Sequence, residues 1–228
     1  MSKRSDIEQN KLIYTEKIGW VDLGHAKGDD ARKLMIAINA GDTKEGNDFI
    51  IQYMQSMVYN SKYGTSRITK WKVKKGLSSN DKKRVALTIM MYTSHLFESH
   101  QDSALFNWYT DSGYSGEDLV SNLLGFYQAV DGINYLPQLE IADKVDALKR
   151  WDYYGPIGKY KNREFRPLLF PHPEKYPNNA RPYHAPLPSF MRTILPISEI
   201  GEGKTLNKVD EKTGYILGVE NRVKIQIQ

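Results

Sequence analysis

Hydrophobic positions recur at helical spacing through much of the chain before Pro137. Ala31, Leu34, Met35 and Ile38 follow Asp29 and Asp30, which predicts a helix capped by one of these aspartates and stopped by Gly41. Ser78 and Asp81 form a capping box that opens a long helix reaching about Ser99, with Val85, Ile89, Met90, Leu96 and Phe97 on its buried side. A second box, Ser115 with Asp118, precedes Leu119, Val120, Leu123, Leu124, Tyr127 and Val130, and Gly132 stops that helix. Pro137 suits the first turn of another helix, continued by Leu139, Ala142, Val145 and Leu148. Two stretches read differently. Phe49 to Tyr59 fits either a helix or an aromatic strand, and Thr65 to Lys75 alternates around Trp71 and Val73 as a short strand.

Proline then changes the pattern. All ten prolines lie at or after Pro137, and seven of them fall between Phe165 and Pro188. Long helices are therefore confined to the earlier part of the chain. After Trp151 the expectation is an extended strap whose Phe165, Leu168, Leu169, Phe170, Leu187, Phe190, Ile194 and Leu195 need a surface to cover. A C-terminal β meander follows: Thr205 to Val209, a turn at Asp210 to Gly214, Tyr215 to Val219, and alternation from Val223 to Ile227. The expected fold is mainly α (α+β): a compact helical body over residues 1–150 with small β elements, and a strap and meander over 151–228 packed on it as one structural unit.

Composition narrows the chemistry. With 228 residues the chain is long enough to bury a core without metals or cross-links. The absence of cysteine excludes disulfides, thiolate metal sites and a Cys nucleophile. A formal charge of +5 favours anionic partners without naming one. The basic start has no apolar run behind it, so the reading is a chain made in the bacterial cytoplasm without a signal peptide, and no stretch approaches the ~20 apolar residues of a membrane span. The basic run Lys70 to Lys75 occurs once and reads as a solvated strand face, which argues against specific nucleic-acid binding. His172 and His184, in proline and tyrosine surroundings, read as structural.

Three polar stretches can carry chemistry. His25 stands between glycines before a helix start, where it can act on protons or ligands, or simply close a turn. His95, Glu98 and Asp102 share one face at the end of the long helix, a placement suited to a general acid or a metal site, or to a solvated helix end. The segment from Trp108 to Asn122 is the densest polar run. Capping accounts for Ser115 and Asp118, but Ser121 and Asn122 lie inside an apolar helix and must either clamp a neighbouring loop or line a cleft.

The combination of Gly-Trp-Val-Asp-Leu-Gly-His-Ala at 19–26, Leu-Phe-Glu-Ser-His-Gln at 96–101 and Ser-Gly-Tyr-Ser-Gly-Glu-Asp-Leu-Val-Ser-Asn-Leu-Leu-Gly at 112–125 resembles an uncharacterised bacterial family similar to secreted antibacterial effectors, type VI secretion cargo among them. The resemblance covers about residues 18–130 and implies that His25, Glu98, Gln101, Glu117, Asp118, Ser121 and Asn122 form one site.

The leading expectation is a hydrolase acting on a cell-envelope polymer, with peptidoglycan foremost. Catalytic groups are drawn from His25, Glu98, Asp111, Glu117 and Asp118, and substrate contacts from Gln101, Trp108, Tyr114, Ser121 and Asn122. Glu98 is the acid, with Asp111 or Glu117 as stabiliser or base. This version needs no cofactor. A second version binds a divalent metal such as zinc through His25, His95 and Glu98 or Glu117. A third has no reaction at all: the strap contacts an immunity protein or secretion carrier.

Overall fold

The computed structural model describes residues 2–58, 63–101, 114–217 and 226–227. The chain divides into two compact units, each assembled from two stretches: Met1–Gly28 with Gln101–Thr193, and Asp29–His100 with Ile194–Gln228. Residues 1–150 are thus shared between both units, as are residues 151–228.

In the first unit a short helix α1 (Arg4–Glu8) leads into a hairpin of β1 (Leu12–Thr15) and β2 (Gly19–Asp22), then a single-turn helix α2 (Leu23–Ala26). The strap supplies β5 (Leu168–Leu169), parallel to β2, and β6 (Tyr183–His184), completing a sheet of order β1-β2-β5-β6. Against it lie α5 (Asp118–Asp131) and α6 (Lys144–Tyr154), the latter capped by Asp143, whose carboxylate accepts the Asp146 amide at 2.7 Å. The core gathers Ile7, Leu12, Tyr14, Trp20, Ala147, Trp151, Tyr154, Ile157, Leu168 and Phe170. Trp20 meets both Tyr14 and Trp151 edge to face. The strap's Leu168 and Phe170 therefore cover a surface as their sequence demands; burying such a side chain contributes about 1.5–3 kcal/mol. Leu195 departs from the expectation and stays exposed.

The second unit is a long antiparallel sheet with helices on it. Strands β3 (Asp48–Val58) and β4 (Tyr63–Lys74) pair along their whole length, β7 (Leu206–Leu217) pairs with β4, and β8 (Gln226–Ile227) adds to β3, giving the order β7-β4-β3-β8. Helices α3 (Asp29–Asp42) and α4 (Ser79–Gln101) complete it. Ser78 opens α4 as its sequence indicates, accepting the Asp81 amide at 3.1 Å, although the Asp81 carboxylate takes the Ser78 hydroxyl rather than its amide.

The mainly α expectation is overturned. The fold is α+β with two four-stranded sheets, and the strands of the second sheet are long rather than small elements. Phe49 to Val58 is strand because Phe49, Ile51 and Tyr53 are buried at period two against β4. The C-terminal meander has no turn at Asp210 to Gly214, since β7 runs straight through it. The irregularity is absorbed by a bulge: Lys70 pairs with Asp210 and Trp71 with Lys208, leaving Val209 as the extra residue. Gly214 is there for close packing, because a Cβ would fall 2.4 Å from the Ser66 hydroxyl.

Three helix boundaries also differ. Gly41 is buried inside the last turn of α3 instead of following it. Pro137 opens only a 3-10 turn (Leu136–Leu139), and α6 starts afresh at Asp143. Helix α5 begins at Asp118, with Glu117 at its cap position, because the Ser115 hydroxyl is turned to the Glu117 carboxylate. Gly132, at φ 68°, ends it as expected.

Candidate functional site

In the first unit the predicted site residues fall into structural roles and open surface. Asp22 caps α2: its carboxylate accepts the amides of Gly24 at 2.6 Å and His25 at 3.1 Å. His25 itself projects as an exposed residue on that turn. Of the two roles open to Ser121, the structure shows the clamp and not a substrate contact: its hydroxyl accepts the Asp22 amide at 3.1 Å. The contact of α2 with α5 depends on glycines. Gly28 has φ +67°, and a Cβ on it would lie 1.9 Å from the Gly125 carbonyl oxygen.

Glu117 is 2% exposed, and hydroxyls hold both its carboxylate oxygens: Ser2 at 2.5 Å on one, Ser115 on the other. Asp118 begins α5 and is half-buried, as is Asn122. Tyr114 is buried at φ 55°, a left-handed conformation that its surroundings must enforce. Its carbonyl accepts the Asn162 amide at 2.8 Å, and the Arg163 guanidinium lies 5.4 Å from its ring centre. Trp108 and Asp111 lie outside the described residues.

Of the strap histidines, His172 behaves as a structural residue. The buried His172 accepts the amides of Glu174 and Lys175 at Nδ1, which leaves Nε2 to donate to Asp146 at 3.1 Å. His184 is exposed.

In the second unit the interface between sheet and α4 changes character along its length. Strand positions of one phase lie under α3 and α4. At one end they are Phe49, Ile51, Val73, Trp71 and Leu206, all buried and apolar except for the indole nitrogen. Two residues further along each strand the same phase turns polar: Tyr53 opposite Thr69, Gln55 opposite Arg67, then Thr65, with Glu211 and Thr213 from β7. The C-terminal half of α4 answers residue by residue. Tyr92 donates to Glu211 at 3.0 Å, Thr93 bonds Thr69 at 2.8 Å, Ser94 accepts from Gln55 at 2.8 Å, and His100 Nε2 lies 3.0 Å from the Thr65 hydroxyl. Glu98 and Gln101, on the last turn of this helix, are 3% and 1% exposed.

The charges there are unevenly matched. Lys208 bonds both Glu211 at 2.8 Å and the Tyr92 hydroxyl at 2.7 Å, and holds Glu211 below the usual carboxylate range. Arg67 donates to Thr213 at 2.6 Å, but its other terminal nitrogen stands 3.5 Å from Glu211. Burial, and then the neighbouring Arg67 charge, lower the His100 pKa below its ordinary value, and burial does the same to His95. His100 is thus favoured as neutral imidazole, able to accept a proton, next to a hydroxyl and a cation. Burial pushes the Tyr53 phenol up.

The sequence reading found Glu98, Gln101 and His95 at this helix end. It left out His100 and missed Thr65, Arg67, Tyr53, Gln55, Tyr92, Lys208 and Glu211. A signal existed for part of it: Thr65, Arg67 and Thr69 share the period-two phase of Trp71 and Val73, so a strand with a buried side becomes polar on that same side. Of the basic run Lys70 to Lys75, Lys72 and Lys74 are exposed as expected, whereas the Lys75 ammonium is buried.

Among the described residues no three His, Asp or Glu side chains are grouped as a metal ion would need. No helix among them is long and apolar enough to cross a membrane. Comparison of the chain with protein-family profiles, curated proteins and solved structures finds no match.

Proposed function

We propose that this chain is a hydrolase of a bacterial envelope polymer, with peptidoglycan as the substrate and delivery as an antibacterial effector as its setting. The chemistry is acid–base, and it belongs to the end of α4, with Glu98 as proton donor and His100 as proton acceptor. One observation carries the reading: the end of α4 holds a buried carboxylate and an imidazole favoured as neutral. Placing such groups away from water costs stability, a pattern that recurs where proteins do chemistry. The substrate class is supported by the resemblance of residues 18–130 to secreted effectors and by the net charge of +5, which suits an anionic wall.

The test is incubation of the purified chain with peptidoglycan sacculi, followed by separation of the soluble fragments. Wild type is expected to release fragments, and Glu98→Gln to release them roughly a hundredfold more slowly, the scale of a lost general acid. A wild-type protein that releases nothing across a range of divalent metals overturns the proposal.

A further inference from the structure

Arg67 is anchored at one side and left over at another. Its side chain is only 17% exposed, one terminal nitrogen donates to Thr213, and the other stands 3.5 Å from one oxygen of Glu211, whose second oxygen takes Lys208 and Tyr92. Its Nε is fully buried and has no hydrogen-bond partner. A guanidinium has five N–H donors in a fixed fork and strongly prefers to fill them. An orphaned charged donor of this kind costs stability. Two residues along the same strand and on the same face, Thr65 offers a hydroxyl already engaged by His100. Among the described residues Arg67 and Lys208 share one carboxylate, Glu211. Tyr53, diagonal to Arg67 across the β3–β4 pair, is fully buried, and its hydroxyl makes no hydrogen bond of good geometry.

We propose that Arg67, with Thr65 and His100 beside it, forms a binding site for an anionic oxygen group, a carboxylate or a phosphate, at the polar end of the second unit's sheet. A planar carboxylate or a phosphate face presents two oxygens to the guanidinium edge that carries Nε, and the Thr65 hydroxyl donates to the same group once it rotates away from His100. This inference concerns binding alone and does not depend on any bond being cleaved.

The experiment is an NMR titration of the full-length, 15N-labelled chain, following the Arg Nε–H resonances and the His100 ring. Inorganic phosphate and sodium acetate are added in separate arms, with sodium chloride at matched ionic strength as the control. The expected result is a saturable shift of the Arg67 Nε–H resonance, accompanied by the His100 ring and absent with chloride. In Arg67→Lys, which keeps the charge but loses the fork, the affinity read from the His100 ring falls at least tenfold. Saturation with acetate alone identifies a carboxylate site, with phosphate alone a phosphoryl site, and with both a site for either. Because the wild-type resonance is itself the readout, the test stands even where Arg67→Lys does not fold. A wild-type shift that is absent, or that grows without saturating and equally with chloride, overturns the proposal. Failure of sacculus digestion leaves this titration unaffected, and the converse holds as well.

Discussion

The phenol of Tyr14 bonds both backbone groups of Phe170: its hydroxyl donates to the Phe170 carbonyl at 2.9 Å and accepts the Phe170 amide at 2.8 Å. One side chain thus stands in for a strand partner, fastening the proline-rich segment to the hairpin across 156 residues of sequence. Arg150 stacks on the Tyr14 ring at 4.1 Å and donates to the same carbonyl. Tyr14→Phe keeps the ring and leaves the buried Phe170 amide unpaired. It is expected to destabilise the protein by about 1–3 kcal/mol, read as a lowered urea midpoint.

Gly125 is a second fastening point. A methyl there would meet the His25 carbonyl oxygen at 2.5 Å and the Gly28 amide at 2.9 Å, both backbone atoms that cannot swing aside. Gly125→Ala would improve an isolated helix, yet it is expected to cost about 1–3 kcal/mol here because α2 and α5 must separate. A thermal melt that rises with this substitution would contradict the packing described.

Acid should weaken the second unit. His100 and His95 have folded-state pKa values below the ordinary imidazole value, so the unfolded chain binds protons more readily. Their contribution is fully present above about pH 6.5 and is lost as pH falls from there toward the folded values. Glu211 acts in the same sense lower down, below the ordinary carboxylate value. Denaturant unfolding measured stepwise from pH 7 to pH 5 should show falling stability. Replacing Arg67 with Gln should move the His100 titration upward in ring-proton NMR, since one of the two causes of the depression is removed.

Glu117 and Glu98 should respond differently to the same change. Glu117→Gln loses a carboxylate that takes hydroxyls on both oxygens, and is expected to lower stability by about 1–3 kcal/mol while leaving any polymer release largely intact. Glu98→Gln is expected to do the reverse. Parallel melts and sacculus assays on the two variants check this.

Helices were legible where local signals act alone. Ser78 opens α4, Gly132 closes α5, and both behave as their side chains and backbone dictate. Strands were less legible because pairing is nonlocal. Asp210 and Gly214 look like a turn until β4 lies alongside and a bulge absorbs the mismatch at Val209. Ser115 looks like a cap until Glu117 competes for its hydroxyl. The site divided in the same way. Ser121 had to be partnered because it is polar inside an apolar helix, yet only the fold chooses the clamp on Asp22 over a cleft, and nothing local to β4 says that Arg67 will sit beside His100.

The interleaved assembly of the two units has a consequence for synthesis. Everything in the first unit has been translated once Thr193 is made, whereas β4 waits for its β7 neighbour until residues 206–217 emerge. During that interval one flank of a twelve-residue strand is open to any other extended chain. Ribosome-bound nascent chains arrested between those two points are where chaperone capture, or aggregation in its absence, should be greatest.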